Sequence, residues 1–450
     1  MHLTRRGFTA GLAGLTFAAA HRARAQPAAA APVALQGAQY FDGQRMTGPA
    51  TLLLQGGRVQ ALDPASLPEG TRRIDLSGQF VIPALTADHA HVGNTAGAEL
   101  GRRFYTRENV AAQLARYQAF GITTVAALGM SPPLFHSLRQ ESREGRLPGA
   151  RFLGAGTGLG MAGGAPPEGL MRLADDQVMR PRDAAETRAA VDRLADAGVD
   201  LIKIWVDGLN GAMPQMPPEM VRAACDAAHA RGLRVAAHIH DLSQARIALE
   251  NGVDILGHGI RDMEADAETV ARMRGQGTWY IPTIQIDEAE YLYAGDPAVL
   301  EEPALRAALN PALLARFQDA EWRQGQMAKM AAKQAEVRMN QRNLAKLHDA
   351  GIRIGFGTDS GGTPVRLQGY AEHRELELMV QAGLSPASAL GIATEHAAAM
   401  LRMEGIGRIQ PGARADLVVL AADPLADIRN TRSIRAVWQD GVAVAGPLAG

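Results

Sequence analysis

The stretch FVIPALTADHAH, Phe80–His91, closes an apolar run with Asp88, His89 and His91. A run of this length reads as a buried strand, and ionisable side chains at its end cost free energy unless something there uses them. His89 and His91 are two apart, so an extended backbone turns both to one side. Seven more short apolar runs follow: ITTVAAL at 122–128, ARFLGAG at 150–156, DLIKIWV at 200–206, LRVAAHI at 233–239, VDILGH at 253–258, TWYIPTI at 278–284 and IRIGFGT at 352–358. Between them, 108–119, 183–197, 218–231, 242–251 and 266–276 carry apolar residues three and four apart and read as amphipathic helices. Eight strand–helix steps over 82–400 predict an α/β protein built on a closed (β/α)8 TIM barrel. An open doubly wound sheet fits less well, because no glycine-rich dinucleotide loop follows the first strand.

Both chain ends differ from this middle. Short β-prone runs punctuated by Gly, Asp and Pro occupy 33–81 and return in 401–447. They predict one small β-sandwich domain assembled from both ends, with two separate caps as the alternative. The connection after the seventh strand is unusually long and mostly helical. It predicts a helical insertion around 285–335 on the rim where the strands end, either covering a site or forming a dimer surface.

The first residues read as a processing segment. Arg5 and Arg6 precede an apolar run from Phe8 to Ala20, and small residues at Ala23 and Ala25 supply a cleavage pattern. The TRRGF stretch resembles the twin-arginine export signal, which implies a signal peptide over 1–25, cleavage near Ala25 and a periplasmic or otherwise exported protein. No later run is long and apolar enough for a membrane span, so the mature form is expected to make no membrane contact. The chain has 46 basic and 47 acidic residues, and no basic stripe, which argues against a nucleic-acid partner. Its one cysteine, Cys225, rules out an internal disulfide and sits in a helical pattern as a small packed side chain. A homo-oligomer is left open.

The polar residues of the middle fall at strand ends: His89 and His91 after the first, Lys203 in the fourth, His238 in the fifth, His258 in the sixth and Asp359 after the eighth. A closed barrel brings these ends onto one rim. Imidazoles plus a carboxylate suit zinc or another first-row divalent ion. Lys203, between Ile202 and Ile204, must find a partner there or lose its charge. A neutral buried amine is also a nucleophile, so an imine-forming lyase is a rival reading.

Beyond these placements, DHAH at 88–91, GVDLIKIWVDG at 198–208, GLRVAAHIH at 232–240, GVDILGHG at 252–259, Pro282–Thr283 and GFGTDSG at 355–361 resemble the metal-dependent amidohydrolase superfamily. The branch resembled contains imidazolonepropionase-like hydrolases and lysine-containing Xaa-Pro and Xaa-Arg dipeptidases. REGRLPGARFLGAG at 143–156, ELELMVQAGLSPASALGIATEHAA at 375–398 and GIGRIQPGARADLVVLAADPLADI at 405–428 extend the resemblance over nearly the whole mature chain. It implies two divalent metal ions, zinc the expected species: His89 and His91 on the more buried ion, His238 and His258 on the second, carboxylated Lys203 bridging, and Asp359 binding metal. Asp359, Lys203 and His238 would be the catalytic set, with a metal-bridging hydroxide attacking an amide and Asp359 exchanging its proton. Ala84 and Thr86 depart from the family pattern before DHAH. Ala165 stands after MAGG where that branch usually has histidine.

Specificity is expected in the loops. Met213, Met216, Pro214, Pro217 and Pro218 predict an adaptable apolar wall after strand four, with Asn210 beside it. Trp205, His240, Tyr280, Tyr291, Tyr293 and His373 are candidate substrate contacts, each with a packing or hydrogen-bonding role as its simpler alternative. Arg102 and Arg103, in the long connection after His91, are candidates to pair with a substrate carboxylate, with plain surface residues as the simpler alternative. The expected substrate is a small amide with an apolar part, such as an N-acyl amino acid or dipeptide. Lactones, cyclic amides, carbamates and phosphotriesters are chemically accessible to the same centre, and a non-catalytic periplasmic binding protein is a weaker alternative.

Overall fold

The computed structural model describes residues 31–446, so the segment 1–25 read as a signal peptide lies outside the described residues. Strands from both chain ends share one eight-stranded sheet. Its order is Val442–Ala445, Ile434–Gln439, Leu417–Leu420, Phe80–Pro83, Val33–Phe41, Met46–Gln55 and Arg58–Leu62, with Arg72–Asp75 also paired to Val33–Phe41. The strand Leu417–Leu420 joins the two ends by pairing antiparallel with Phe80–Pro83, Val418 opposite Ile82. Leu35, Leu52, Leu54, Val81, Leu417, Val419 and Trp438 form its buried face, the period-2 alternation expected of a strand packed on one side.

Phe80–Pro83 runs almost directly into Leu85–Ala90, the first strand of a second, parallel arrangement. Leu85–Ala90, Ile122–Ala127 and Arg151–Gly154 form a three-stranded parallel sheet. Ile202–Trp205, Val235–His238, Ile255–Leu256, Trp279–Tyr280 and Arg353–Ile354 form a five-stranded one. Single parallel bridges connect their borders, Leu159 with Ile204 on one side and Ala90 with Ser360 on the other. Helices flank these strands, giving a TIM-barrel-like α/β core plus the additional sheet.

The helices start where local chemistry places them. Thr106, Asp183, Asp241 and Asp266 each accept from a backbone N–H three residues on, which satisfies an otherwise orphaned donor. They open Arg107–Ala119, Ala184–Asp196, Leu242–Glu250 and Ala267–Gln276, and Pro218 occupies the first turn of Pro218–Ala230. Three strands are shorter than the runs at 253–258, 278–284 and 352–358, because the chain leaves the ladder at their ends to build the rim. There Gly259 N–H donates to Pro282 O at 3.0 Å, and the Thr358 and Asp359 N–H groups both donate to His89 O at 3.1 and 3.0 Å.

After Trp279–Tyr280 come short helical pieces, Gln285–Glu288, Leu292–Gly295, Pro297–Glu301, Pro303–Ala308 and Pro311–Gln318. The helix Ala320–Asp349 then runs for 30 residues, about 45 Å at 1.5 Å per residue. The expected boundary at 335 falls inside this helix, which continues unbroken from the insertion into the layer around the strands. Tyr293 stacks on Phe317 with ring centroids 4.2 Å apart, binding the short pieces to one another. No helix among the described residues is long and apolar enough to cross a membrane.

Candidate metal centre

The strand ends bring together six residues distant in sequence: His89, His91, Lys203, His238, His258 and Asp359. His89 and His91 share a face of the first strand's end, with ring centroids 5.8 Å apart. His258 lies 4.5 Å from His89 and 4.2 Å from His238, centroid to centroid. Asp359 Oδ1 is 3.2 Å from His89 Nε2 and 2.9 Å from His91 Nε2. Ligand atoms of His89, His258 and Asp359 all lie within 4.8 Å of one another. Gly357 makes this close approach feasible, since a Cβ there would fall 2.6 Å from His89 Cβ.

Hydrogen bonds behind the rings decide which nitrogen faces the centre. The carbonyls of Gly257 and Gly129 take the Nδ1 side of His89 and His91, at 2.6 and 3.2 Å. A carbonyl only accepts, so Nδ1 carries a proton in both rings and Nε2 is the nitrogen turned to the centre. His258 Nδ1 is similarly held by Thr283 Oγ1 at 2.9 Å. His238 differs: its Nε2 faces Asp207 Oδ2 at 3.5 Å, leaving Nδ1 as the other ring nitrogen. Asp207 is itself fixed by Gln244 Nε2 at 3.0 Å and the Leu209 N–H at 2.7 Å.

Burial dominates the electrostatics. It pushes His89 down to about 3 and His238 to about 4, and holds His258 well below the usual imidazole range; neighbouring Lys203 adds to each effect. Burial also lowers the Lys203 ammonium to about 7 against the opposing pull of Asp359. For Asp359 burial acts upward but loses to His91 and Arg366, so the carboxyl stays well below the usual carboxylate range. Asp88 takes the opposite course, raised well above that range by burial, with one oxygen accepting from Phe356 N–H at 3.0 Å.

These residues fit a cation. Nε2 of His89 and of His258 and Nζ of Lys203 are enclosed and make no hydrogen bond. Nε2 of His89 and of His91 converge on Asp359 Oδ1, and two imidazoles with a carboxylate at this spacing are a donor set suited to a divalent ion.

The other residues singled out in the sequence are distributed unevenly. His240 is part-exposed at the rim, 3.9 Å from Glu336 of the long helix. Asn210 is exposed on the loop after strand four, and Tyr291 is half-buried after strand seven. Trp205 is enclosed over Lys203, 5.5 Å from Nζ to the ring, in a slot where a Cβ on Gly129 would meet the indole at 2.4 Å. Tyr280, Tyr293 and His373 are placed in packing rather than at an opening. The Tyr280 hydroxyl accepts from Ile260 N–H at 3.0 Å and donates to Asn340 Oδ1 at 3.2 Å. Tyr293 is enclosed on Phe317, and His373 is held between Phe120 O at 2.8 Å and Thr431 Oγ1 at 2.9 Å. Large rings on strands and short helices are natural fillers of a core.

Several groups escaped sequence reading. Arg366 pairs with Asp359 Oδ2, although it stands in a loop with no periodic signal. Arg261, Asp287, Lys333 and Glu336 form a charged network beside His240, with Lys333 Nζ 2.9 Å from Asp287 and 2.7 Å from Glu336, and Arg261 3.1 Å from Asp287. It depends on the long helix docking against the rim, which no local pattern encodes.

The amidohydrolase family model matches residues 80–444, most of the chain. The chain belongs to the amidohydrolase family. Within it, the neighbours lie in the branch of imidazolonepropionases, Xaa-Pro dipeptidases and ochratoxinase. An imidazolonepropionase from Cereibacter sphaeroides is 26% identical over 437 residues, covering 88% of this chain and 94% of that one. The ochratoxinase of Aspergillus niger is 26% identical over 275 residues, 58% of this chain, and the match spans only half of that protein's length. Among solved structures, a Xaa-Pro dipeptidase with bound methionine in its active site superposes with a TM-score of 0.73 at 25% identity, covering 92% of this chain and 99% of that one.

Proposed function

We propose that this amidohydrolase is a binuclear metal-dependent enzyme that hydrolyses the C–N bond of a small amide, an N-acyl amino acid or dipeptide with an apolar part. The convergence of histidine nitrogens on Asp359, beside an enclosed Lys203 Nζ that makes no hydrogen bond among the described residues, carries the reading. His89, His91 and Asp359 would hold one ion, His238 and His258 a second, and Lys203, carboxylated on Nζ, would join them. Carboxylation needs a neutral amine, and the lowered Lys203 pKa of about 7 supplies one near neutral pH. When bound, two zinc ions would lower the pKa of a water and polarise the scissile carbonyl. Asp359 then accepts the water's proton and returns it to the departing nitrogen, one carboxylate serving both transfers. Arg366, on the other oxygen of Asp359, orients that carboxylate and keeps it ionised until the proton arrives.

The apolar part of the substrate would meet half-buried Met213 and the prolines of its loop. The charged network of His240, Lys333 and Glu336 would take a polar end. The fold supporting this chemistry is read as a closed (β/α)8 barrel with a composite β domain, and the protein as exported behind the leader at 1–25. The barrel reading is supported by the eight parallel strands bridged at both borders and by likeness to a Xaa-Pro dipeptidase with bound methionine; the export reading rests on the Arg5–Arg6 stretch and the leader sequence after it alone.

The test is metal analysis of protein produced with ample zinc and bicarbonate, alongside a panel of N-acyl amino acids, dipeptides and lactones. Two ions per chain and turnover of amides in preference to lactones are expected. No more than one tightly held ion, with metal content unchanged in Lys203→Ala, contradicts the binuclear reading; binding without turnover of any panel member favours a binding protein. Borohydride trapping of substrate on Lys203 favours an imine mechanism.

A further inference from the structure

The helix Tyr370–Gln381 presents buried carboxylates toward the rim. Glu372 and Glu375 are three apart, on one side of the helix, and neither is exposed at all. Neither pairs with a cation among the described residues. Glu375 instead accepts from two successive backbone N–H groups, Ile284 at 2.8 Å and Gln285 at 2.7 Å, one on each oxygen. Glu372 Oε1 accepts from Thr358 Oγ1 and Ser360 Oγ, both at 2.7 Å, while Oε2 accepts from Gly369 N–H at 2.8 Å.

Each anchor sits beside a residue whose backbone is strained. Thr283, immediately before Ile284, has φ +44°, and Asp359, between Thr358 and Ser360, has φ +59°. The left-handed region is unfavourable for side chains with a Cβ, most of all for β-branched Thr, so the surrounding structure must hold such residues in place. Both matter to the centre: Thr283 Oγ1 holds His258 Nδ1, and Asp359 faces His89 and His91. Tyr117 adds a further tie, its hydroxyl 2.5 Å from Ser360 Oγ.

We infer that Glu372 and Glu375 are positioning residues: one helix face clamps two rim loops at once, fixing Asp359 through Thr358 and Ser360 and fixing His258 through the backbone after Thr283. A clamp of this kind presets the distance between the sixth-strand and eighth-strand ligands before any ion arrives. This rests on the metal-centre reading above. Glu377, on the same helix and also buried, is the internal comparison, since it pairs with Arg374 and Arg432 and touches neither loop.

Zinc affinity, measured by competition with a chromophoric chelator, is compared in wild type, Glu372→Gln, Glu375→Gln and Glu377→Gln, with melting temperatures of the metal-free proteins recorded in parallel. A carboxamide replaces one acceptor oxygen with a donor, so Glu372→Gln and Glu375→Gln should each weaken zinc binding by about 10- to 100-fold, the usual cost of losing an outer partner of a metal ligand. Glu377→Gln should lower the melting temperature by a comparable amount and leave zinc affinity within about threefold. Wild-type affinity in the first two, or equal weakening in all three, overturns the inference. Should the glutamine variants not fold, Ser360→Ala carries the same expectation for the Asp359 side, and unchanged affinity there overturns it. If wild type itself binds no zinc, the metal-centre reading fails and the inference falls with it.

Discussion

In the proposed mechanism Lys203 is the residue on which the chemistry turns. Its Nζ is enclosed, lacks a hydrogen bond and is flanked by imidazoles, so a full positive charge is disfavoured there. Replacing it with alanine is expected to halve zinc content and reduce amide turnover by at least about 100-fold, read by metal analysis and initial rates. Retention of both ions would show that Lys203 is not a ligand. His373 gives a pH prediction unconnected with metal. It is buried as a neutral ring, its pKa lowered by burial from 6.5 to about 4. Between those values the unfolded chain binds a proton that the folded one refuses, so stability falls as pH drops through 6.5 toward 4. The metal-free protein should therefore lose stability between pH 7 and pH 5, and His373→Gln should reduce that loss by on the order of 2 kcal/mol in denaturant titrations. That the strand-end polar residues meet at one rim is legible in the sequence, because ionisable groups at the ends of apolar strands are anomalous. Tyr280, Tyr293 and His373 show the converse: all three are buried, and burial and hydrogen-bond partners, invisible in sequence, place these rings in packing.

At the scale of elements, the long helix Ala320–Asp349 is held to the rim by two asparagines three residues apart. Asn340 Nδ2 donates to Pro282 O at 2.8 Å and its Oδ1 accepts from Tyr280. Asn343 accepts from Ala265 N–H at 2.8 Å and donates to the carbonyls of Ile260 and Met263, both at 2.9 Å. Asn343→Ala leaves those backbone groups without partners and should cost about 2 to 4 kcal/mol in unfolding free energy, with a loosened rim visible as faster amide exchange near Ile260. The five regular helices were legible to within a residue or so, since apolar spacing and N-cap residues are both local signals. The short strands and the insertion were not: a strand that stops after two residues is ended by long-range hydrogen bonds between rim loops, and docking of the long helix depends on partners some 80 positions away.

For the whole molecule, the joint between the end sheet and the parallel core rests on Arg151. It meets Asp416 at 3.1 Å and Asp440 at 2.7 Å, and Asp416 is almost fully enclosed. Arg151→Met leaves the buried Asp416 carboxylate without its cation, holding only the Asp440 N–H at 2.8 Å, and should destabilise the protein by about 3 to 5 kcal/mol in denaturant unfolding. Zinc affinity should stay at the wild-type value, because the proposed metal ligands lie at the other ends of the strands. The composite sheet could be anticipated from matching texture at the two chain ends, but its single eight-stranded pairing emerges only when Leu417–Leu420 and Phe80–Pro83 are seen side by side. The central claim is that residues from strands far apart in sequence converge to hold a pair of metal ions around a modified lysine. Anomalous diffraction at the zinc edge, from crystals grown with zinc and bicarbonate, measures this directly. Two peaks among His89, His91, His238, His258 and Asp359, with extra density on Lys203 Nζ, are predicted. A fully loaded crystal with no peak inside that group, and a bare lysine, would contradict the account.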